Sequence, residues 1–122
     1  MGEGSMDAEN DRSQNAEPEG RQALTGDDLV SATQAIPDWE VVTQKNMTQL
    51  KRTFSFPDFV AALAFTNSVG ELAEALDHHP RIVTEWGKVT VTWWSHDAGG
   101  VTTRDLRAAQ GTDARYDPDA AD

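Results

Sequence analysis

The residues of this chain best suited to chemistry are its three histidines, His78, His79 and His96, which lie close together in the sequence. A free imidazole has a pKa of about 6.5, so it can donate or accept a proton at neutral pH. Pro80 follows the adjacent pair and keeps His79 out of the helical conformation, so a helix that precedes the pair must end there. The two imidazoles are therefore expected at a helix end rather than on a helix face.

The elements that position these histidines follow from two hydrophobic periods. Apolar residues at three- and four-residue steps predict helices, and alternating β-rich runs predict strands. Lys45-Asn46 and Gly87-Lys88 suit tight hairpin turns. The predicted order is a helix over 25–35, strands over 39–44 and 47–56, a long helix over 58–77, strands over 82–86 and 89–95, and a helix from Thr102-Thr103. Two consecutive hairpins predict an α+β domain, with a four-stranded antiparallel sheet and three helices packed on one face.

Side chains along the predicted elements divide into two faces. Arg52 shares a strand face with the apolar Leu50 and Phe54, so it needs a partner in the fold. Trp93 and Trp94 must point to opposite faces, and one of them is expected to pack under the helices. Trp94 shares a face with His96, so it is expected to be a subunit contact or a pocket wall. On the long helix, the inward positions are expected to be Phe59, Ala62, Leu63, Thr66, Val69, Ala73 and Leu76.

The hairpin formed by the last two strands brings distant residues together. In an antiparallel hairpin, the end of the second strand lies beside the start of the first. His96 follows Ser95 at the end of the second strand, and the first strand starts just after Pro80. The topology therefore predicts that His96 converges with His78 and His79.

Three interpretations of this convergence are open. The histidines could be surface or half-buried side chains with ordinary hydrogen bonds. Three imidazoles could also hold a zinc ion with an open position, although neighbouring histidines seldom aim at one ion and no H-E-x-x-H spacing is present. The third interpretation is acid/base catalysis, in which the positive charge of an imidazolium is favoured at a helix C-terminus.

The residues around the histidines closely resemble the signature of the pterin-4a-carbinolamine dehydratases. The pattern E-x-x-x-H-H-P is present at residues 74–80, and it is followed by the aromatic Trp86, by His96 at a strand end, and by G-V-T-T-R-D at residues 100–105. The similarity covers about Leu24 to Ala109. Ile82 departs from the pattern, because many members have an aromatic residue there, and Ser95 replaces the usual threonine.

The resemblance implies dehydration of a 4a-hydroxytetrahydropterin to quinonoid dihydropterin, with the three histidines around the substrate. His78 and His79 are expected to transfer protons, and His96 to bind the pterin or make a second transfer. Glu74 is expected to orient His78 or raise its basicity from one helical turn away. The remaining substrate-binding or orienting residues are expected to be Ser95, Arg104 and Asp105. No metal and no cofactor are implied.

The composition limits the number of domains and the kinds of site and partner that the chain can have. The chain has 122 residues, which is room for one small domain, and it lacks cysteine, which excludes disulfides, thiolate metal sites and cysteine nucleophiles. Its net charge of −11 disfavours unaided binding to nucleic acid or to anionic membranes. Acidic, weakly apolar ends predict disordered tails over 1–23 and 111–122 around a folded domain at 24–110, with the last helix ending before Gly111. We expect a cytoplasmic protein, and the scarcity of lysine suggests a high-salt cytoplasm.

Partners follow from the predicted architecture. One sheet face and two sheet edges lack cover in so small a domain, so a homodimer or homotetramer is expected. Members of the resembled family also include dimerisation partners of a transcription factor and proteins that assist enzyme assembly. The alternative to an enzyme is therefore a binding or assembly module of the same fold, whose ligand is a protein or a molybdopterin-type compound.

Overall fold

The structure is a computed structural model that describes residues 22–119. It confirms the predicted α+β fold and the predicted order of elements. The elements are α1 (Gly26–Thr33), β1 (Glu40–Gln44), β2 (Met47–Ser55), α2 (Phe59–Leu76), β3 (Arg81–Glu85), β4 (Lys88–Trp93), a 3₁₀ turn (His96–Ala98) and α3 (Thr103–Ala114). The four strands form one antiparallel sheet in the order β1-β2-β4-β3. Most of the predicted N-terminal tail and the last three residues of the C-terminal tail lie outside the described residues.

The two hairpins differ in how well their turns were predicted. Lys45 and Asn46 both have positive φ, at 52° and 65°, as a two-residue type I′ turn requires, so the first turn is confirmed. In the second hairpin Glu85 pairs with Lys88, so the turn residues are Trp86 and Gly87. The predicted Gly87-Lys88 turn is wrong by one residue, because Gly87 supplies its positive φ of 80° at the second turn position and Lys88 already belongs to β4.

The core lies between the sheet and the helices. Trp93 is fully buried with Val89 and Val91, with which it was predicted to share a face of β4, and it is the tryptophan of the pair that packs under the helices. Thr66 on α2 and Thr84 on β3 are joined through their hydroxyls at 2.6 Å, which fixes the helix on that edge of the sheet. The residues of α2 that are buried are Ala62, Phe65, Val69 and Ala73.

The predicted inward face of α2 is partly wrong. Phe65 is buried although it was not predicted to be, whereas Phe59, Leu63 and Leu76 remain more than 40% exposed. The apolar surface of α2 is wider than the stripe that the sheet can cover, so periodicity alone does not select the buried side. Within residues 22–119, α2 is also the helix whose length and composition would allow a membrane span, a property that core helices of soluble proteins share.

The last helix extends beyond the predicted end. α3 continues through Gly111 to Ala114, so the expected end before Gly111 is wrong. A Cβ at position 111 would lie 3.0 Å from a methyl carbon of Leu72, which shows that the glycine lets α3 approach α2 closely. Glycine was interpreted as a stop signal, but here it serves the packing of two helices.

Residues 113–116 complete the core instead of leaving it. Arg52 donates a hydrogen bond to Asp113 Oδ1 at 2.7 Å, and Trp39 Nε1 donates to the same oxygen at 2.9 Å. The Arg52 guanidinium lies 4.3 Å from the centre of the Phe54 ring, and Tyr116 packs edge-on against that ring at 4.9 Å. The partner that Arg52 requires is therefore a residue of α3 that was assigned to a disordered tail.

Candidate active site

Chain topology brings the histidine segments to one end of the sheet. Arg81 at the start of β3 pairs with Thr92 near the end of β4. His78 and His79 come just before β3 and His96 comes just after β4, so all three leave the sheet from the same end. Their convergence on a single ligand remains a prediction.

The end of α2 sets the direction of the histidine pair. Asp77 caps the helix in the left-handed conformation, with φ 51° and ψ 43°, and the His78 N–H returns to the Ala73 carbonyl at 3.1 Å. This backbone reversal turns successive side chains away from the helical path. The helix end predicted from Pro80 is therefore confirmed, with the last helical residue at Leu76.

His78 lies against the core and is bound to a buried carboxylate. Its Nε2 is 2.6 Å from Asp105 Oδ1, and its ring stacks on Trp93 with centroids 5.4 Å apart and planes at 27°. The His78 side chain is 14% exposed and the Asp105 side chain is fully buried. Both the position and the orientation of this imidazole are therefore fixed by neighbours.

Asp105 is held by the N-terminus of α3. Its Oδ2 accepts a hydrogen bond from the Thr102 N–H at 2.9 Å, while the Thr102 side chain accepts from the Arg104 N–H in a capping box. Ser95 Oγ donates to the same Oδ2 at 2.7 Å and lies 2.9 Å from Thr102 Oγ1. Asp105 falls in the first turn of the helix that was predicted from Thr102-Thr103, and the structure confirms that place. Thr102 was missed as a site residue, although its T-x-x-D spacing is the sequence signal of a capping box.

His79 has a separate, exposed partner. Its Nε2 is 2.5 Å from Glu74 Oε2, and the two side chains are 58% and 77% exposed. The prediction that Glu74 orients His78 is wrong. The i,i+4 contact requires a continuous helix, but the left-handed Asp77 turns His78 inward to Asp105 and brings His79 over Glu74.

His96 lies on the exposed 3₁₀ turn that follows β4. Arg104 donates to Asp97 Oδ1 at 2.8 Å, which ties this turn to the start of α3. The hydrogen bond from Arg104 holds the pKa of the Asp97 carboxyl below its ordinary value. Arg104 is thus placed beside the turn of His96, while its Nε is buried and makes no hydrogen bond within residues 22–119.

The two adjacent imidazoles each bind a different carboxylate. In the described part of the chain, no group of three or more histidine, aspartate or glutamate side chains is arranged to hold a metal ion. The arrangement contains two neighbouring imidazole–carboxylate pairs, one buried and one exposed, and a third imidazole on a surface turn at the same end of the sheet. Such pairs are suited to proton transfer because each carboxylate engages one ring nitrogen and leaves the other available.

Comparison with known proteins identifies the family of this chain. The family model of the pterin 4 alpha carbinolamine dehydratases matches residues 22–115. A relative from Chlorobium limicola with the provisional name pterin-4-alpha-carbinolamine dehydratase is 60% identical over 89 residues, which is 73% of this chain and 79% of the relative. A relative from Microcystis aeruginosa with the same provisional name is 42% identical over 97 residues, 80% of this chain and 84% of the relative.

Solved structures give the same fold. A crystal structure described as a transcriptional coactivator/pterin dehydratase from Brucella melitensis is 32% identical, with a TM-score of 0.70 over 77% of this chain and 98% of that one. A structure described as a pterin dehydratase-like RuBisCO assembly factor of the alpha-carboxysome is 22% identical, with a TM-score of 0.54 over 64% of this chain and 88% of that one, and it shows the fold alone. The family model and the two relatives indicate a protein of the hydro-lyase class. The chain belongs to the pterin 4 alpha carbinolamine dehydratase family.

Proposed function

We propose that this protein dehydrates a 4a-hydroxytetrahydropterin to quinonoid dihydropterin and water through histidine acid/base catalysis. The observation that carries the proposal is the pair of adjacent imidazoles with different carboxylate partners, His78 with buried Asp105 and His79 with exposed Glu74. Membership of the dehydratase family supports the substrate class.

The reaction asks for one proton donor and one proton acceptor. The bond between C4a and the hydroxyl oxygen breaks, and a proton delivered to that oxygen lets it leave as water. A second proton leaves the ring nitrogen next to C4a, and its electron pair forms the new double bond to C4a. Two imidazoles beside a flat heterocycle can supply both transfers.

The solvent exposure of the His78 and His79 side chains indicates which of them donates and which accepts a proton. His79 is more than half exposed, so it can regain a proton from solvent after each turnover. His78 is held between Asp105 and Trp93 and has little access to solvent. We assign proton donation to His79 and proton acceptance to His78.

The third histidine has a different setting. His96 lies on a turn that is held by the Asp97–Arg104 ion pair, and its side chain makes no hydrogen bond within residues 22–119. An imidazole in this position is available to bind the pterin from the side opposite the pair, or to make a second transfer. Arg104 then acts on the ligand site through this turn.

Self-association belongs to the same proposal. Phe59, Val60 and Leu63 are 44%, 76% and 43% exposed along one side of α2. Side chains of this size are rarely left in a row on the surface of a monomer. The row favours the expected homodimer or homotetramer.

The test is the rate of breakdown of 4a-hydroxytetrahydropterin, measured by stopped-flow absorbance with and without the protein. We expect acceleration by the wild type, and we expect His79→Ala and His78→Ala to lose about 100-fold or more, as removal of an acid or base does. Glu85→Gln, an exposed change at the far end of the sheet, serves as the control.

The alternative, a non-catalytic binding or assembly module, predicts a different result. Such a module would leave the spontaneous rate unchanged while still binding a protein partner or a molybdopterin-type ligand. The exposed row on α2 would then serve the protein partner. An unchanged rate with the wild type would reject the proposed dehydration.

A further inference from the structure

His78 has one ring nitrogen engaged and one free. Nε2 lies 2.6 Å from Asp105 Oδ1, while Nδ1 makes no hydrogen bond to any described residue. Nδ1 is also not one of the buried unpartnered atoms in the described part of the chain, so it reaches the surface. The two nitrogens therefore have separate surroundings, one inside the protein and one at the site.

The contacts of Asp105 determine which nitrogen holds the proton. Oδ2 accepts from the Thr102 N–H at 2.9 Å and from Ser95 Oγ at 2.7 Å, and Thr102 Oγ1 is a further 3.3 Å contact. Since these donors converge on Oδ2, that oxygen acts as an acceptor, and Oδ1 is left facing His78. An ionised carboxylate can only accept hydrogen bonds, so the proton between Oδ1 and His78 belongs to Nε2.

From this geometry we infer that Ser95, acting through Asp105, is a positioning residue that fixes His78 as the Nε2–H tautomer and leaves the lone pair of Nδ1 as the proton acceptor of the site. The identity of the proton it accepts, from the ring nitrogen of the pterin, rests on the proposed function. When Nδ1 takes that proton, the ring becomes an imidazolium whose positive charge lies next to the Asp105 carboxylate.

The burial of Ser95 excludes direct contact with the substrate. Its side chain is fully buried, and its hydroxyl is engaged by Asp105 and Thr102. The hydroxyl instead restrains the carboxylate together with the Thr102 N–H, and this keeps Oδ1 directed at His78. The hydroxyl that Ser95 shares with the usual threonine is thereby explained without a ligand contact.

Two readouts test the inference. Nitrogen-15 NMR of the full-length protein, at a pH where His78 is neutral, reports which ring nitrogen is protonated. Stopped-flow kinetics of pterin dehydration reports kcat and KM for Ser95→Ala and Ser95→Thr, with Ser55→Ala, an exposed serine at the far end of the sheet, as the matched control.

We expect the wild type to show a protonated Nε2 and a bare Nδ1. Ser95→Ala should lower kcat by about 10-fold with little change in KM, the equivalent of one buried hydrogen bond. Ser95→Thr keeps the hydroxyl and should restore most of the activity, and Ser55→Ala should leave both parameters unchanged. In Asp105→Asn the amide can donate to Nε2, so the proton should move to Nδ1.

The possible outcomes distinguish the inference about Ser95 and the His78 tautomer from the proposed dehydration. A wild-type His78 protonated on Nδ1, or a Ser95→Ala variant that matches Ser55→Ala in kcat, overturns the inference. A wild type with the Nε2–H tautomer but no acceleration of dehydration overturns the proposed function and supports the assigned tautomer. If Asp105→Asn does not fold, the wild-type spectrum and the Ser95 variants still decide the question.

Discussion

Replacing Asp113 with alanine tests the place of α3 in the fold. Asp113 Oδ1 accepts hydrogen bonds from Arg52 at 2.7 Å and from Trp39 Nε1 at 2.9 Å. The Arg52 side chain is only 18% exposed, and without Asp113 its other acidic neighbour is the exposed Asp38, 3.7 Å away. The substitution therefore leaves the half-buried guanidinium of Arg52 without its nearest carboxylate and the indole N–H of Trp39 without an acceptor.

The expected loss follows from these two contacts. A hydrogen bond to a charged group contributes about 1.5–3 kcal/mol and a neutral one about 1 kcal/mol, so Asp113→Ala should lower the free energy of unfolding by about 3 kcal/mol. In a domain of this size, that loss lowers Tm by about 10–20 °C. Urea and thermal unfolding, followed by circular dichroism, measure both quantities.

Two variants make the test specific. Asp117→Ala removes an exposed carboxylate that accepts the Asp119 N–H at 3.0 Å, and it should change stability by less than about 0.5 kcal/mol. Asp113→Asn keeps an oxygen for Trp39 but no charge for Arg52, so its free energy of unfolding should lie between those of Asp113→Ala and Asp117→Ala. If Asp113→Ala unfolds with the same midpoint as Asp117→Ala, the reasoning that α3 is anchored through Asp113 is refuted.

Three further predictions concern the site end of the sheet. Gly100→Ala places a Cβ 2.7 Å from Thr48 Oγ1, so it should lower the free energy of unfolding in urea by about 1–3 kcal/mol, with partial recovery in a Thr48→Ala background. A Gly100→Ala variant as stable as the wild type would contradict this prediction. Glu74→Gln breaks an exposed pair with His79, so it should change stability by less than about 1 kcal/mol yet reduce kcat several-fold; an unchanged kcat would show that Glu74 does not orient His79. Arg104 lowers the pKa of Asp97, so the ion pair stabilises the fold above the ordinary pKa of an aspartate, and this stabilisation is lost as the pH falls through the lowered pKa. The difference in unfolding free energy between wild type and Asp97→Asn should therefore vanish in strong acid, and a difference that persists there would refute the prediction.

Local sequence signals were enough to predict the architecture. The two turn signals and the break before Pro80 are short-range features, and they correctly gave two hairpins, a long helix between them and the antiparallel sheet. The predicted start of the last helix at Thr102-Thr103 likewise placed Asp105 in its first turn. Hairpin topology then accounts for the two histidine segments at one end of the sheet.

What sequence reasoning missed depends on tertiary contacts and on single backbone angles. The partner of Glu74 changes from His78 to His79 because Asp77 adopts a left-handed conformation, which no residue type at this position dictates. The contact between Arg52 and Asp113 spans 61 residues, so no local pattern reveals it. Gly111 could be recognised as a packing residue only from the approach of Leu72.

The central claim is that His78, His79 and His96 surround one pterin. Titration with 7,8-dihydropterin, followed through the side-chain NMR signals of the three histidines, tests it directly. We predict that all three imidazoles shift together with a single Kd, while signals from the Trp86 indole at the opposite end of the sheet stay unchanged. A titration that moves His78 and His79 but leaves His96 at its free position would contradict the account.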